Sequence, residues 1–451
     1  MNSLLRRINS AYFDLFREYP ILLRLAIITG VAQTSFALLN MYALPVFFLK
    51  ELKSSGVALG AVISTFLWCE MLLKFVAGKL SDRYGRKPFV VFGTLLICLN
   101  PIIIIHLPQR LWSLVYPIRA IDGAGAAALW PPLFAMVGDV IRLRSRTAAM
   151  SVMNMVYVGA IGVALGAGPV LHTLTGSYHL AFYASSALLV LSSVIAHFGI
   201  PKNIEHHHHN EEEIAVEIPA ADTPQMPALP QNGRAAYPLW MVLLVSVLMM
   251  MSVTTIANFL IVYLETDLGL SPKGVLALLI ALGVPVAVLA LPLGHAADRW
   301  GKSIAVRISL AVTAVVLWLI PQAHPFANYI VHQLPWFHEA IIVTILGIIL
   351  VISHILGTPA WLALVSDLAP AKKRGSIMGM VATLEGFGAA IGPLIGGRLW
   401  DINHTYIFFG AGAIMSVAAI IALLTLRDGP TPNQYEVTST ESQDTITCAT
   451  L

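Results

Sequence analysis

The sequence predicts an all-α membrane protein of twelve transmembrane helices in two pseudo-symmetric six-helix bundles. Three observations carry that prediction. First, 57% of the 451 residues are hydrophobic and only 11% are charged. A soluble domain carries about 25% charged residues, so a chain this poor in charge cannot keep a folded surface solvated. Second, a helix needs about 20 mostly apolar residues to cross the hydrocarbon core. Twelve such runs lie near 22–48, 56–78, 88–108, 111–138, 148–172, 179–200, 239–264, 273–294, 303–321, 339–366, 376–398 and 404–426. They are long and continuous, which selects helices over barrel strands. Third, the chain repeats itself once across a polar central stretch.

Residues 1–20 are amphipathic and charged, and read as a surface-lying N-terminal helix rather than a cleaved signal. Residues 1–200 form the first bundle. A Pro-rich and Ala-rich stretch at 201–237 reads as a disordered linker. Its His206 to His209 tract, followed by Glu211 to Glu213, reads as a solvated run rather than a metal site. The second bundle is 238–427, and the Ser/Thr-rich residues 428–451 are expected to be a disordered tail. With the N-terminus placed inside, only Lys50, Lys53, Arg110, Lys273 and Arg398 of the 27 Lys and Arg fall on the outer side. That excess puts both termini in the cytoplasm of a cell-membrane protein. The net charge of +3 gives no basic footprint for nucleic acid. The far-apart Cys69, Cys98 and Cys448 form neither a disulfide framework nor a metal site, so no metal or other cofactor is expected.

The repeat is visible in two places. Gly78, Asp82, Arg83 and Gly85 correspond to Gly294, Asp298, Arg299 and Gly301, each 216 residues on. Asp139 and Arg146 correspond to Asp367 and Arg374, each 228 residues on. Duplicated six-helix halves with a site between them are a transporter architecture.

Charged side chains at bilayer depth cost about 2.5–3.5 kcal/mol each, so they point to function. Glu70 and Lys74 share a face of the second span at i,i+4 spacing. Glu70 lies about 12 Å from Gly78 along a helix. Arg119 and Asp122 sit at i,i+3 in the fourth span, Glu385 in the eleventh and His354 in the tenth. The repeat places Val286, Ala290, Gly347 and Leu350 opposite Glu70, Lys74, Arg119 and Asp122. The fold therefore does not itself demand charge there. Two readings stand: self-neutralised staples, or carboxylates that load and release protons as their surroundings change. Glu70 and Asp122 are the first candidates for proton carriers, with Arg119, Lys74 and Glu385 as further coupling residues. Asn40, Tyr42, Trp130, Asn258, His354 and Trp361 are the polar and aromatic candidates for lining a substrate cavity.

The run Gly78-Lys79-Leu80-Ser81-Asp82-Arg83-Tyr84-Gly85-Arg86-Lys87 resembles the loop signature of the major facilitator superfamily between helices 2 and 3. The resemblance covers nearly all of residues 20–427. It implies that Gly78, Asp82, Arg83, Gly85, Arg86 and Lys87 form a cytoplasmic gate latch that holds the outward-open state. Asp82 would cap a helix N-terminus, which the family places at the eleventh helix near Ser376. Arg83, Arg86 and Lys87 would pair with acids such as Asp139 or reach anionic lipid. Asp298 and Arg299 form the weaker second copy. Arg119-x-x-x-Gly123-x-Gly125 resembles the family's helix-4 motif, associated with proton coupling. The spacing of Gly379, Gly388, Gly392-Pro393 and Gly396-Gly397 in the eleventh span resembles the family's antiporter glycine motif, which in that group belongs to the fifth helix. In the fifth span His172 and Thr173 replace its final glycine pair.

These residues imply a proton-coupled secondary transporter, first an exporter of small organic or amphipathic compounds. The alternatives are a symporter importing a metabolite, sugar or organic acid, and a non-transporting membrane sensor or scaffold. No nucleotide-binding loop, metal-ligand spacing or nucleophile motif points to an enzyme. The expected partners are a small-molecule substrate, protons and the lipid bilayer, with the chain acting as a monomer.

Overall fold

The computed structural model describes residues 15–201, 238–283, 301–323, 339–368 and 374–426, and every regular element among them is a helix. The helices are α1 Pro20–Glu51, α2 Gly56–Tyr84, α3 Arg86–Ile105, α4 Gln109–Val140, α5 Leu143–Thr175, α6 His179–Gly199, α7 Leu239–Thr266, α8 Pro272–Gly283, α9 Lys302–Gln322, α10 Glu339–Leu368, α11 Arg374–Ile402 and α12 Tyr406–Thr425. Among the described residues, all but α8 are long and apolar enough to span a bilayer. The predicted eighth span continues to 294, and its remainder lies outside the described residues.

Local chemistry sets several boundaries. Pro20 occupies the first turn of α1, where its missing N–H costs nothing. Within α1 two π-helical stretches, Leu38–Ala43 and Phe47–Glu51, widen the turn. Asn40 and Tyr42 lie in the first and Lys50 in the second. The Ser55 hydroxyl caps α2 by accepting from the Ala58 N–H at 3.1 Å. Gly85, at φ +95°, makes the break between α2 and α3 that a side chain would resist. Gly176 ends α5 in the left-handed conformation, its N–H returning to the His172 carbonyl at 2.7 Å.

The chain forms two compact units. Among the described residues, the first holds 15–201, 253–280 and 389–407: the whole of α1–α6, the second part of α7, most of α8 and the last part of α11. Its core packs α2 and α3 on α4, and α5 and α6 on α1. Leu22, Leu25, Ile28, Leu129, Leu133 and Met136 are buried at its centre. The second holds the described residues of 238–252, 281–388 and 408–426. There α9 packs on α10, with the Ser309 hydroxyl donating to the Ser353 carbonyl at 2.7 Å. The start of α7 meets α12 through Ser252, which donates to the Ala411 carbonyl at 2.9 Å.

Candidate functional site

Among the described residues, the most deeply buried charges lie in the first unit. Arg119 and Asp122 of α4 are 1% and 2% exposed. Arg119 Nη1 donates to Asp122 Oδ2 at 2.5 Å. Asn100 of α3 donates to the other oxygen, Oδ1, at 2.6 Å. Arg119 Nη2 donates to Asn40 Oδ1 of α1. The guanidinium also lies over the Phe66 ring of α2, 4.6 Å from its centre. Only Nε of Arg119 lacks a hydrogen-bond partner. A buried ion pair is tolerable only when its remaining lone pairs and protons are satisfied, and here three other helices supply the partners. The glycines of the helix-4 motif make that approach possible. A Cβ on Gly123 would stand 2.4 Å from the Phe66 carbonyl oxygen of α2, and one on Gly125 2.7 Å from the Gly93 carbonyl oxygen of α3.

Beside this cluster lies a cavity of about 170 Å³, walled by α1, α2, α4, α5 and α7. Phe36, Phe66, Trp130 and Tyr157 supply aromatic surface, and Gln33, Asn40, Asn258, Thr254 and Glu70 supply polar groups. The Phe36 and Trp130 rings are 5.6 Å apart, and Trp130 meets Tyr157 edge-on at 5.2 Å. Glu70 is paired with Lys74 at 2.8 Å, but Lys74 is half exposed while Glu70 faces the cavity. Drug-sized pockets begin near roughly 300 Å³, so the space as it stands takes a small ligand or one part of a larger one. Chemically it offers a single ionisable acid among aromatic faces.

At the end of the bundle that carries the 78–87 loop, Arg86 bridges two acids. Its Nη1 is 3.0 Å from Asp82, and it grips Asp139 at the end of α4 through Nε and through Nη2, the latter at 3.3 Å. Lys87 donates to the Ile200 carbonyl and Arg24 to the Gly199 carbonyl, so two cations meet the C-terminal end of α6. The side chain of Asp82 is 62% exposed.

The opposite end holds a set of contacts that sequence reasoning missed. Lys50 of α1 pairs with Glu265 of α7 at 2.7 Å, and the Glu265 side chain is 2% exposed. Asp401 at the end of α11 accepts from the first two N–H groups of α2, Gly56 at 2.5 Å and Val57 at 3.0 Å. That places an anion on the positive end of a helix from the other half of the repeat. Backbones touch beneath it. A Cβ on Gly397 would lie 2.2 Å from the Gly56 carbonyl oxygen, and one on Gly60 2.2 Å from that of Pro393. A usable signal was present: Lys50 and Glu265, opposite in sign, stand one position out of the 216-residue register at matching helix ends.

The sequence model of the Major Facilitator Superfamily matches residues 25–352 and 242–447. The chain belongs to that superfamily. It is 23% identical over 372 residues to "Multidrug resistance protein 2" of Bacillus subtilis (strain 168), covering 82% of this chain and 86% of that one. It is 24% identical over 426 residues to the "Gentisate transporter" of Corynebacterium glutamicum, covering 92% and 86%. The fold matches the crystal structure of a D-xylose-proton symporter at a TM-score of 0.68 and 13% identity, over 91% of this chain and 98% of the other. The protein is thus a multi-pass membrane transporter of the major facilitator type.

The transporter gathers only some of the residues singled out by sequence. Glu70, Asn40, Trp130 and Asn258 line the cavity. Arg119 and Asp122 sit sealed beside it. Tyr42 is instead fully buried against α5, where a Cβ on Gly168 would meet its ring at 2.4 Å. In the second unit Trp361 is buried and donates to Ser246 at 3.2 Å. His354 is exposed on α10 beside Thr358, 3.3 Å away, and Glu385 is half-buried on α11. Asp298 and Arg299 lie outside the described residues.

Proposed function

We propose that the protein is a proton-coupled exporter of small organic, amphipathic compounds, working by alternating access in the cell membrane with both termini in the cytoplasm. The observation that carries this reading is the aromatic cavity with one acid, Glu70, facing into it. Aromatic walls suit a flat apolar body, and a few fixed polar groups orient it. Glu70 is the proton carrier: it is open to the cavity, and its partner Lys74 is half exposed and free to move. Asp122 is held on both oxygens and acts with Arg119 as the fixed pair that orders α1, α3 and α4 around the cavity. The 78–87 loop is the cytoplasmic end, where Arg86, Asp82 and Asp139 form the latch. The Lys50 end faces outside. The similarity to a protein named for multidrug resistance supports the export direction.

The importer reading has one observation in its favour, the partnerless Nε of Arg119, which is a donor for a substrate carboxylate. Its 1% exposure weighs against this. A sensor or scaffold has no use for an acid-bearing cavity.

The test is transport in sealed vesicles under pH gradients of either sign, against a panel of aromatic cations, neutral amphiphiles, sugars and aromatic acids. Export predicts accumulation of an aromatic amphiphile only when the substrate-receiving side is acidic. Accumulation that follows the proton inward would overturn the direction.

A further inference from the structure

A second cavity stands apart from the one that Glu70 faces. It holds about 420 Å³, against 170 Å³ there, and shares no lining residue with it. Its walls come from the end of α1 and the starts of α2 and α4, all in the first unit and at the Lys50 end. Phe48, Val62 and Val115 make a buried apolar floor. Trp112 forms a side wall, edge-on to Phe48 at 5.4 Å and 6.0 Å from Phe47. Ser54, Gln109, Ser113 and Tyr116 bring polar groups, and none of these four side chains hydrogen-bonds to another described residue. In the Glu70 cavity, by contrast, the amides of Asn40 and Asn258 are already bonded to carbonyls of their own helices.

The space has a cause in the sequence. Ser54, Ala58 and Val62 recur at the helical spacing of four, so they share one face of α2 and its lead-in, and all three are small. The 216-residue repeat puts Leu270, Gly274 and Leu278 at these places. There the Leu270 side chain lies beside Gly274, 3.6 Å from where a Cβ would stand. The fold thus accepts a leucine that closes this space, and the first half leaves it open. Its chemistry defines an occupant. The volume falls in the range of small-molecule sites, roughly 300–1,000 Å³. Apolar floor and aromatic wall suit a ring system, and the unengaged hydroxyls and amide suit one polar group on it. The lining contains no Asp, Glu, Lys, Arg or His, so a charge carried inside would go unpaired at a high cost. Lys53 and Arg110, both exposed, adjoin the lining residues Ser54 and Gln109 and disfavour an organic cation further. Asp401 offers such a cation nothing, since both its oxygens are taken by the Gly56 and Val57 N–H groups. We propose that this cavity is a second ligand site, for an uncharged aromatic amphiphile such as an aromatic alcohol, reached from the Lys50 side and filled independently of the Glu70 cavity.

The test reads occupancy rather than flux, so it does not depend on proton coupling or on the direction of transport. With Cys69, Cys98 and Cys448 replaced by Ser, Ser113→Cys places one exposed thiol on the cavity wall. Lys273→Cys, exposed and outside the cavity, is the reference thiol. Sealed vesicles of the full chain are treated from the Lys50 side with a membrane-impermeant maleimide, with and without naphthalene-2-methanol. The expected result is a saturable, several-fold slowing of labelling at Ser113→Cys and none at Lys273→Cys. The carboxylate and methylammonium analogues, naphthalene-2-carboxylate and naphthalene-2-methylammonium, are expected to protect several-fold more weakly. Ala58→Phe fills the space and should abolish protection, and Trp112→Ala removes the side wall and should weaken it several-fold. If Ala58→Phe is not recovered as monodisperse protein, the Trp112→Ala result decides. No protection by the alcohol, equal or stronger protection by either charged analogue, or protection that survives both substitutions overturns the proposal. Glu70→Gln separates the two sites: it is expected to keep the protection in full, and its loss there would overturn their independence. A parent protein that shows the protection but moves no compound under any gradient sinks the transport reading alone.

Discussion

Two groups of charged and polar contacts in this transporter are built differently. Arg119, Asp122, Asn100 and Asn40 come from α1, α3 and α4, all within the first half of the repeat. Lys50–Glu265 and Asp401 on the α2 N-terminus each join a first-half helix to a second-half helix, across 215 and 345 residues of chain. The first group ties helices of one half only, while the second ties a helix of each half together within the first compact unit. Under the alternating-access reading proposed above, the first would act as a rigid wall and the strength of the second would set how readily one end opens. Glu70 stands between these extremes, since its partner is on its own helix and its open face is towards the cavity.

The largest expected effect breaks the wall. Arg119→Ala leaves Asp122 buried and unpaired, a loss of about 3–5 kcal/mol. Thermal unfolding of purified protein should register it, and Arg119→Ala with Asp122→Ala together should recover much of the loss. If the double variant is as unstable as the single, the pair is not the wall's neutral unit. Next is the glycine contact. Gly397→Ala puts a methyl group 2.2 Å from a backbone oxygen, so α2 and α11 must part by an ångström or more. Maleimide labelling of Ala257→Cys, a cavity position, from the Lys50 side should then increase. A smaller shift is expected for Asp401→Asn, where a charge on a helix N-terminus is worth about 0.3–1 kcal/mol. The same labelling should rise by less than about tenfold. The smallest is Asp139→Asn: its bond to Arg86 is partly exposed and worth about 1 kcal/mol or less. Gradient-driven transport should change by no more than a few-fold, and a complete loss would mean that this latch is more than a surface tie.

The two groups also differ in how far they could be read from sequence. Spans were legible because hydrophobicity in a bilayer follows composition alone. Arg119, Asp122 and Glu70 were legible because ions stand out within apolar runs. Asn100 was not, since one amide near a span end carries no such contrast. Glu265 and Asp401 were hidden for a different reason. Each lies at a helix end, where charge is normal, and becomes notable only because a helix hundreds of residues away meets it. Tyr42 misled in the opposite way. A polar aromatic in α1 suggested a cavity wall, but Gly168 lets α5 close over it. The glycines of α11 serve packing on two sides, Gly388 and Gly396 towards α7 and Gly397 towards α2, which spacing alone could not apportion.

The most direct test compares two fluxes in the same proteoliposomes for the parent protein and Glu70→Gln: accumulation of a transported compound driven by a pH gradient, and its exchange at equal pH. Glu70→Gln is expected to lose the gradient-driven accumulation and to retain the exchange. Accumulation equal to that of the parent would contradict it.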